Sequence, residues 1–367
     1  MTETTPDLLY SEAEEDLRAA VRSLLGDRAE PASVLARAEA GTPYEGPLWH
    51  ALGAEMGLAG LLVPEKLGGQ GAGHREAAVV LEEIGRSVAP VPYLTSSVIA
   101  TETLLGLDTE SPQVASLLSE LAAGRRTAAL ALPFSCGPDS PQEREELDGT
   151  VSAVADGATA DVLLVPTGRG LYAVEAAGAG VAREPLTPLD LTRPLAALAF
   201  DGAGGTVLAD AGTGRAAVRR GLLAGAGLLA SEQLGVAEWC LTSTVAYVRD
   251  RKQFNRPVGS FQALKHRLAQ LWLEVVSARA AARAAADALA TASPDAPLSV
   301  AVAQAYCSGV AVRAAEECVQ LHGGIGMTWE HPAHLYLKRA KSAQLALGSA
   351  GEYRAAVAEL VGLPGPS

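Results

Sequence analysis

Aromatic residues are scarce in this sequence, at 4% of 367 residues, and the chain has only four cysteines. None of the cysteines forms a C-x-x-C pair, which argues against a zinc site or a disulfide framework. Long uncharged stretches are missing too. The longest, residues 296–312, contains Pro297 and Gln304 and is shorter than the roughly 20 residues that span a bilayer. We therefore expect free thiols and no membrane span.

Basic residues are outnumbered, with 29 Lys and Arg against 42 Asp and Glu and a net charge of −13. An acidic protein repels nucleic acid and anionic membranes, so neither is expected as a main partner. The N-terminus is acidic and has no secretory pattern, so we expect a cytoplasmic protein. One basic cluster stands out, and it is either a solvated surface or a site for an anion: Arg249, Arg251, Lys252, Arg256, Lys265, His266 and Arg267.

Local patterns predict a mainly α protein with a central β domain. Residues 11–14 have the pattern of a helix capping box. Residues 162–165 and 171–174 are short apolar runs around a turn, which predicts a hairpin. The predicted order is α–β–α, with an N-terminal helical domain at 1–126, a middle β domain at 127–212 and a C-terminal four-helix bundle at 213–367.

Helical patterns occupy both ends of the chain. Ser260 is the predicted N-cap of one of the long helices. Long apolar helices without a strict heptad are typical of a bundle. The predicted helices span 48–56, 74–88, 214–250, 260–292, 298–321, 332–346 and 351–361.

Two glycine-containing motifs flank long helices of the C-terminal part. The first, R-K-Q-F-N-R-P-V-G-S-F-Q (251–262), offers a guanidinium, amides and a turn before a helix, which suits a pyrophosphate. The second, Q-L-H-G-G-I-G (320–326), follows a helix, and its glycines let a ligand approach the backbone. By themselves, the first could be a polar loop and the second a helix C-cap.

Metal and nucleophile motifs are not present. Glu330, His331 and His334 lie close together, but at a helix start and without an H-E-x-x-H pattern, so no metal is expected. There is no G-x-S-x-G nucleophile elbow.

Together the two motifs resemble the flavin-binding signatures of acyl-CoA dehydrogenases, in order and in separation. G-L-A-G-L-L-V-P-E-K-L-G-G-Q-G (57–71) and L-E-E-I-G-R (81–86) are similar to the same family. The segment 322–341 is especially similar to actinobacterial members. The resemblance covers nearly the whole chain.

The resemblance implies an enzyme that binds FAD between subunits, oxidises an acyl-CoA to the trans-2-enoyl-CoA and passes electrons to an electron-transfer flavoprotein. Arg251, Gln253 and Phe254 would contact the pyrophosphate and adenosine of FAD, with Gln262 as a further match. The remaining positions implied to bind the cofactor are Gln320, Gly323, Gly324 and Ser349.

The chain departs from the family at the catalytic base. The family's usual Glu stands in an E-G-T triplet before the last helix, and here the triplet is Leu347-Gly348-Ser349. The alternative position, on the helix before the first signature, falls at Gly225. Glu232 is seven residues further along that helix, roughly 10 Å away, and Glu352 is expected to be an N-terminal helix charge. No catalytic residue is therefore assigned.

The middle region departs as well. Leu132–Ser140 stands near the family's T-E-P…G-S-D turn, nothing matches its W-I-T strand, and Asn255 replaces a Gly. The chain resembles the base-lacking subunit of heteromeric members, whose sister chain would supply the carboxylate. A scaffold or CoA-ester-binding protein without redox chemistry, or a secondary-metabolism flavoenzyme with another base, remains open.

Overall fold

Three sets of elements follow one another in the computed structural model, which describes residues 8–40, 46–139 and 145–363. Helices come first, then strands, then helices again, so the predicted α–β–α fold is confirmed. The first set comprises α1 (Glu12–Arg28), α2 (Pro31–Glu39), α3 (Gly46–His50), α4 (His74–Ser87), α5 (Thr101–Leu105) and α6 (Pro112–Ala122).

Local signals explain several ends of these helices. The side chain of Ser11 accepts from the N–H of Glu14, whose carboxylate accepts from the N–H of Ser11, so the predicted capping box is confirmed. The helix predicted over 48–56 is α-helical only to His50, and it continues as a wider π-helix over Ala51–Glu55. A second, fully buried π-helix, Tyr93–Ala100, leads into α5.

The strands form two small sheets that share an apolar core. One sheet has the order β1-β3-β4-β7 and the other β2-β6-β5. The predicted hairpin is confirmed as the antiparallel pair β3–β4. The domain boundaries at 126/127 and 212/213 stay a prediction. The strands are β1 (Ala128–Leu130), β2 (Gly149–Ala155), β3 (Val162–Thr167), β4 (Gly170–Glu175), β5 (Val181–Pro185), β6 (Leu195–Phe200) and β7 (Thr206–Asp210).

A bundle of long helices completes the chain. Helices α7 and α9 run parallel, because Gln304 of α9 donates to the carbonyl of Ala226 on α7, while His322 and Tyr247 meet further along. Between α7 and α8 lies a hairpin of two short strands, β8 (Lys252–Gln253) and β9 (Arg256–Pro257). The helices are α7 (Ala211–Asp250), α8 (Gln262–Ala290), α9 (Ala296–His322), α10 (Ala333–Leu345) and α11 (Ala350–Leu360).

The predicted cap at Ser260 is wrong. Ser260 ends a 3₁₀ turn, Val258–Ser260, and Phe261 occupies the N-cap position of α8 without a side-chain cap bond. The 3₁₀ turn sets the N-cap of α8 one residue later than the hydroxyl pattern predicts.

Helix α4 crosses α7 with the two backbones in contact. A Cβ on Gly85 would lie 2.0 Å from the carbonyl oxygen of Glu232, and one on Gly235 would lie 1.9 Å from that of Glu82. Real Cβ atoms do not approach so closely, so both positions require glycine. Glu82 also pairs with Arg18 at 2.6 Å. The L-E-E-I-G-R segment therefore has a structural role at this crossing.

One segment, Ala296–Met327, is long and apolar enough to cross a membrane by length and composition among the described residues. In this fold 61% of its most apolar window is buried inside the protein. It includes α9, which packs against α7 and α8 in the bundle. Core helices of soluble proteins pass the same test, so the segment is weak evidence for a membrane span.

Candidate functional site

The first flavin signature forms a small hairpin that projects from the end of α7. The N–H of Arg251 donates to the carbonyl of Tyr247 at 2.9 Å, and the N–H of Val258 closes the hairpin on the carbonyl of Arg251 at 2.8 Å. Phe254 and Asn255 form its tip at φ 50° and 61°. Asparagine tolerates this left-handed conformation, and phenylalanine does so at a cost.

The side chains of this hairpin point outward. Phe254 is 87% exposed, and Arg251, Gln253 and Gln262 are exposed as well. The Phe254 ring makes an edge-to-face contact with Phe261, with ring centroids 6.2 Å apart, and is otherwise accessible at the tip.

The second flavin signature is also an open surface. Helix α9 ends at Gly323, whose φ of 63° and ψ of −137° suit glycine alone. A Cβ on Gly323 or Gly324 would meet nothing within 4 Å, and Gln320 is exposed. The backbone here is accessible to a ligand or to a neighbouring chain.

Both signatures lie at one end of the bundle. Because α7 and α9 are parallel, Tyr247 and His322 stack there with ring centroids 4.4 Å apart. Seven of the eight predicted cofactor positions therefore share this end. Ser349 does not: it is the exposed N-cap of α11 and forms a capping box with Glu352. The expected helix-terminal role of Glu352 agrees with this geometry.

The end of the bundle that carries the signatures is basic, and most of its basic side chains form no ion pair with a described residue. Of the seven basic residues in the cluster, only Arg267 pairs with a carboxylate, Glu317 at 2.7 Å, within the part of the chain that the structure describes. The guanidinium of Arg256 lies 3.9 Å from the centre of the Phe261 ring instead. In a protein of net charge −13, unpaired cations next to an open glycine turn suit a pyrophosphate.

A groove of ≈ 550 Å³ lies beside the first signature, between α7 and α8. Val245, Val248 and Leu268 are among its apolar lining residues, with Arg249 and Lys265 as cations. The buried Oγ of Ser260, which also lines it, has no hydrogen-bond partner among the described residues. An apolar groove with two cations and a free hydroxyl can accept an anionic ligand with a flat apolar part.

The two family positions for the base meet far from this end. A Cβ on Gly225 would lie 3.3 Å from Cδ1 of Leu347 and 2.5 Å from Cγ1 of Ile99. The intervening helix is continuous, so 26 residues separate Gly225 from Arg251 by about 39 Å at 1.5 Å per residue. Within one chain, a single flavin cannot lie in both places.

Apolar side chains fill the region around Gly225 and Leu347. The remaining cavity measures ≈ 20 Å³, enough for about one water molecule. We call these packed side chains the plug, which consists of Ile99, Phe134, Leu222 and Leu347. The plug contains no group that can accept a proton.

The loop that stands near the family's T-E-P…G-S-D turn forms hydrogen bonds to the backbone of the plug. The N–H groups of Leu347 and Gly348 donate to the carbonyls of Phe134 and Ser135 at 2.7 and 3.0 Å. The hydroxyl of Tyr353 donates to the carbonyl of Leu347 at 2.5 Å. Leu347 is 2% exposed with φ of 55°. Ser140, at the end of the predicted stretch, lies outside the described residues.

Glu232 is not a free base. Nη2 of Arg193 donates to both of its carboxylate oxygens, at 2.8 and 2.6 Å. Nε of Arg339 lies 3.6 Å from Glu232 and 3.5 Å from Asp190. All four side chains are buried. The residues come from α7, α10 and the β5–β6 connection, so this charge cluster joins the β region to the bundle. Sequence reasoning could not find it, because the partners are distant along the chain.

Asp156 belongs to the same buried region. Burial raises the pKa of its carboxyl, although the hydroxyl of Thr95 and the guanidinium of Arg193 favour the ionised form. Thr95 donates to Asp156 at 2.6 Å and lines the small cavity. Asp156 itself does not line the cavity. Its carboxyl is hydrogen-bonded to Thr95, which does.

The described residues contain no group of three or more His, Cys, Asp or Glu side chains placed to hold a metal ion. The imidazole of His331 lies against that of His322 at a tilt of 38°, with centroids 4.1 Å apart. Burial, with a smaller effect of neighbouring histidine charges, lowers the pKa of His331 to about 4.

Known proteins share this architecture and these signatures. Residues 11–125 match the family described as acyl-CoA dehydrogenase, N-terminal domain, and residues 212–361 match acyl-CoA dehydrogenase, C-terminal domain. Acyl-CoA dehydrogenase IpdE2 of Mycolicibacterium smegmatis is 37% identical over 338 residues, which is 92% of this chain and 95% of that protein.

Two solved structures extend the comparison. A chain of the ChsE4–ChsE5 complex from Mycobacterium tuberculosis has a TM-score of 0.86 at 28% identity, covering 98% of this chain and 100% of that one. A chain of the Tcur3481–Tcur3483 steroid ACAD variant has a TM-score of 0.84 at 28% identity, covering 96% and 98%.

Fold and signatures together define an FAD-binding oxidoreductase class. The chain belongs to the acyl-CoA dehydrogenase family.

Proposed function

We propose that this chain is the base-lacking subunit of an FAD-dependent acyl-CoA dehydrogenase that acts with a sister chain. The observation that carries this proposal is the plug: both family positions for the base, Leu347 and Gly225, meet in a packed apolar region. The chain would contribute its two signatures to an FAD site, and the sister chain would contribute the catalytic carboxylate.

The distance along α7 supports action on a neighbouring site. Arg251 lies about 39 Å along α7 from Gly225 of the chain's own plug region, given the rise of an α-helix, so it is too far to bind a flavin placed there. The relatives in the ChsE4–ChsE5 and Tcur3481–Tcur3483 structures are complexes of two named proteins, which supports an unlike pair.

The proposed reaction is α,β-dehydrogenation of an acyl-CoA. The sister carboxylate would remove the α-proton, and bound FAD would supply the hydride acceptor. An electron-transfer flavoprotein is the proposed acceptor, and breakdown of fatty acids or steroid side chains in the cytoplasm is the proposed setting.

A scaffold without redox chemistry is the second candidate. The unpaired cations and the open glycine turn favour the flavin-binding alternative, since a scaffold has no need to keep them unpaired. FAD binding discriminates between the two.

FAD uptake tests the proposal directly. The pair formed with a sister chain is expected to retain FAD through dialysis. Arg251→Ala should weaken FAD binding by about 1.5–3 kcal/mol, because a charge-assisted contact to the pyrophosphate is lost. Equilibrium titration by flavin fluorescence measures this effect.

Arg267→Ala is the matched control, because it removes an equal charge that Glu317 already neutralises. It should change FAD affinity little. If the pair stays colourless in excess FAD, or if the two variants weaken binding equally, the flavin assignment of the first signature is wrong.

Assembly is expected to use the exposed face of α8 and α9. Trp272 and Leu273 on α8 are 59% and 53% exposed, and Val302 and Tyr306 on α9 are 43% and 38% exposed. Trp272→Asp should shift the sedimentation profile toward the monomer, because a charge would be buried on assembly. Leu360→Asp, at a 52% exposed position of α11, is the control. A stable wild-type monomer in the presence of a sister chain would contradict this prediction.

A further inference from the structure

Five rings form a continuous column through the bundle. The rings of Tyr336 and Trp239 are parallel, with centroids 3.5 Å apart. Trp239 lies 6.4 Å from His331, His331 4.1 Å from His322, and His322 4.4 Å from Tyr247. The column crosses from α10 to the ends of α7 and α9, where the flavin signatures begin.

Hydrogen bonds fix the Tyr336 ring at one end of the column and the His322 ring within it. The hydroxyl of Tyr336 donates to the carbonyl of Arg86 at 2.7 Å. Nδ1 of His322 lies 2.7 Å from the carbonyl of Cys318, and because a carbonyl only accepts, Nδ1 carries the proton. At the far end, the carbonyl of Tyr247 accepts from the N–H of Arg251.

The column therefore connects the two signatures. His322 directly precedes Gly323, and Tyr247 holds the first residue of the hairpin through its carbonyl. The two signatures belong to separate elements. Gly323 has a backbone conformation that suits glycine alone. The hairpin consists of two strands that pair over only two residues each. The stack of Tyr247 on His322 is a side-chain contact between the helix that leads into the hairpin and the residue that precedes the glycine turn.

We propose that Tyr247 is a positioning residue for flavin binding, and that its stack on His322 holds the two signatures in one orientation. The inference rests on the proposed function, because it concerns FAD shared with a neighbouring chain. A ligand that bridges two segments binds more tightly when their relative orientation is fixed beforehand. Tyr247 lies outside both signatures and acts on FAD only through them.

The test compares Tyr247→Leu with Tyr247→Phe in the assembled pair. Leucine removes the ring, and phenylalanine keeps the stack and lacks only the hydroxyl. A stacked pair is worth about 0.5–1.5 kcal/mol, so Tyr247→Leu should raise the Kd for FAD about two- to twelvefold, and Tyr247→Phe should match the wild type. The Kd is measured by flavin fluorescence, and the melting temperature of the flavin-free pair is measured in parallel.

Rescue by phenylalanine separates positioning from a loss of the hydroxyl, and an unchanged melting temperature separates it from general destabilisation. Equal Kd values for the leucine variant and the wild type would overturn the inference. So would a loss of FAD binding that the fall in melting temperature fully accounts for. If Tyr247→Leu does not assemble, His322→Gln carries the same expectation from the other ring. Failure of the wild-type pair to bind FAD would instead refute the proposed function.

Discussion

Acyl-CoA added anaerobically should bleach the flavin of the pair about 10²–10⁴-fold faster than the flavin of a pair whose sister glutamate is replaced by glutamine. Removal of an α-proton at neutral pH needs a positioned base, and the plug of this chain supplies none. This chain alone, with excess FAD, should show no bleaching. Stopped-flow absorbance of the oxidised flavin measures all three rates. Full bleaching by the chain alone would mean that an unassigned group, with Asp156 as the first candidate, acts as the base.

Leu347→Glu tests whether a carboxylate placed in the plug can act as the catalytic base. The new carboxylate would lie in an apolar cavity of ≈ 20 Å³, too small for a substrate, so dehydrogenation should not be restored. Leu347→Gln is the control, because it is equally polar and similar in size but uncharged. Restored turnover in the glutamate variant alone would show that this chain's own pocket opens to substrate.

The dependence of stability on pH should also differ between the glutamate and glutamine variants. A buried carboxyl without a cation has a raised pKa, so the folded state favours its protonated form. The glutamate variant should therefore be less stable than the glutamine variant above about pH 8, and the difference should shrink toward about pH 4, near the unperturbed pKa of glutamate. Melting temperatures across this range measure it.

Arg193→Met should destabilise the protein by about 3–5 kcal/mol, because Glu232 would keep a buried charge with only the more distant Arg339 beside it. The substitution should weaken the packing of the β region against the bundle in particular, since Arg193 lies on the β5–β6 connection and Glu232 on α7. Chemical unfolding followed by circular dichroism and by limited proteolysis within the β region would report it.

Arg219→Met is the matched control. Arg219 pairs with Asp139 at 2.8 Å, with the two side chains 49% and 68% exposed, and exposed pairs contribute about 0–1 kcal/mol. The double variant Arg193→Met with Glu232→Gln should recover part of the stability, because no charge is left unpaired. Equal effects of Arg193→Met and Arg219→Met would show that the buried pair is not structurally important.

Local signals in the sequence predicted most elements of this fold. The capping box at Ser11, the β3–β4 hairpin and the long helices depend on residues that are neighbours in sequence. The late start of α8 was missed, because a 3₁₀ turn after Pro257 used the residues that resemble a cap.

Contacts between distant residues explain what the sequence could not reveal about the site. The spacing to the first signature located Gly225, but the contact of Gly225 with Ile99 and Leu347 depends on the crossing of three segments. In the same way, Glu232 was identifiable as a carboxylate near the base position, whereas Arg193 and Arg339, which neutralise it, lie 39 residues before and 107 residues after it.

At the crossing of α4 and α7, the substitutions that α4 tolerates depend on the position of a buried charge on α7. The carbonyl that limits any side chain at Gly85 belongs to Glu232, the residue on which Arg193 and Arg339 converge. Even a single methyl group at Gly85 would have to push this peptide group away and carry the carboxylate with it. A substitution at Gly85 would then move the carboxylate of Glu232 away from Arg193 and Arg339 in the core. Sequence variation in α4 is thereby constrained by charged residues on α10 and in the β5–β6 connection.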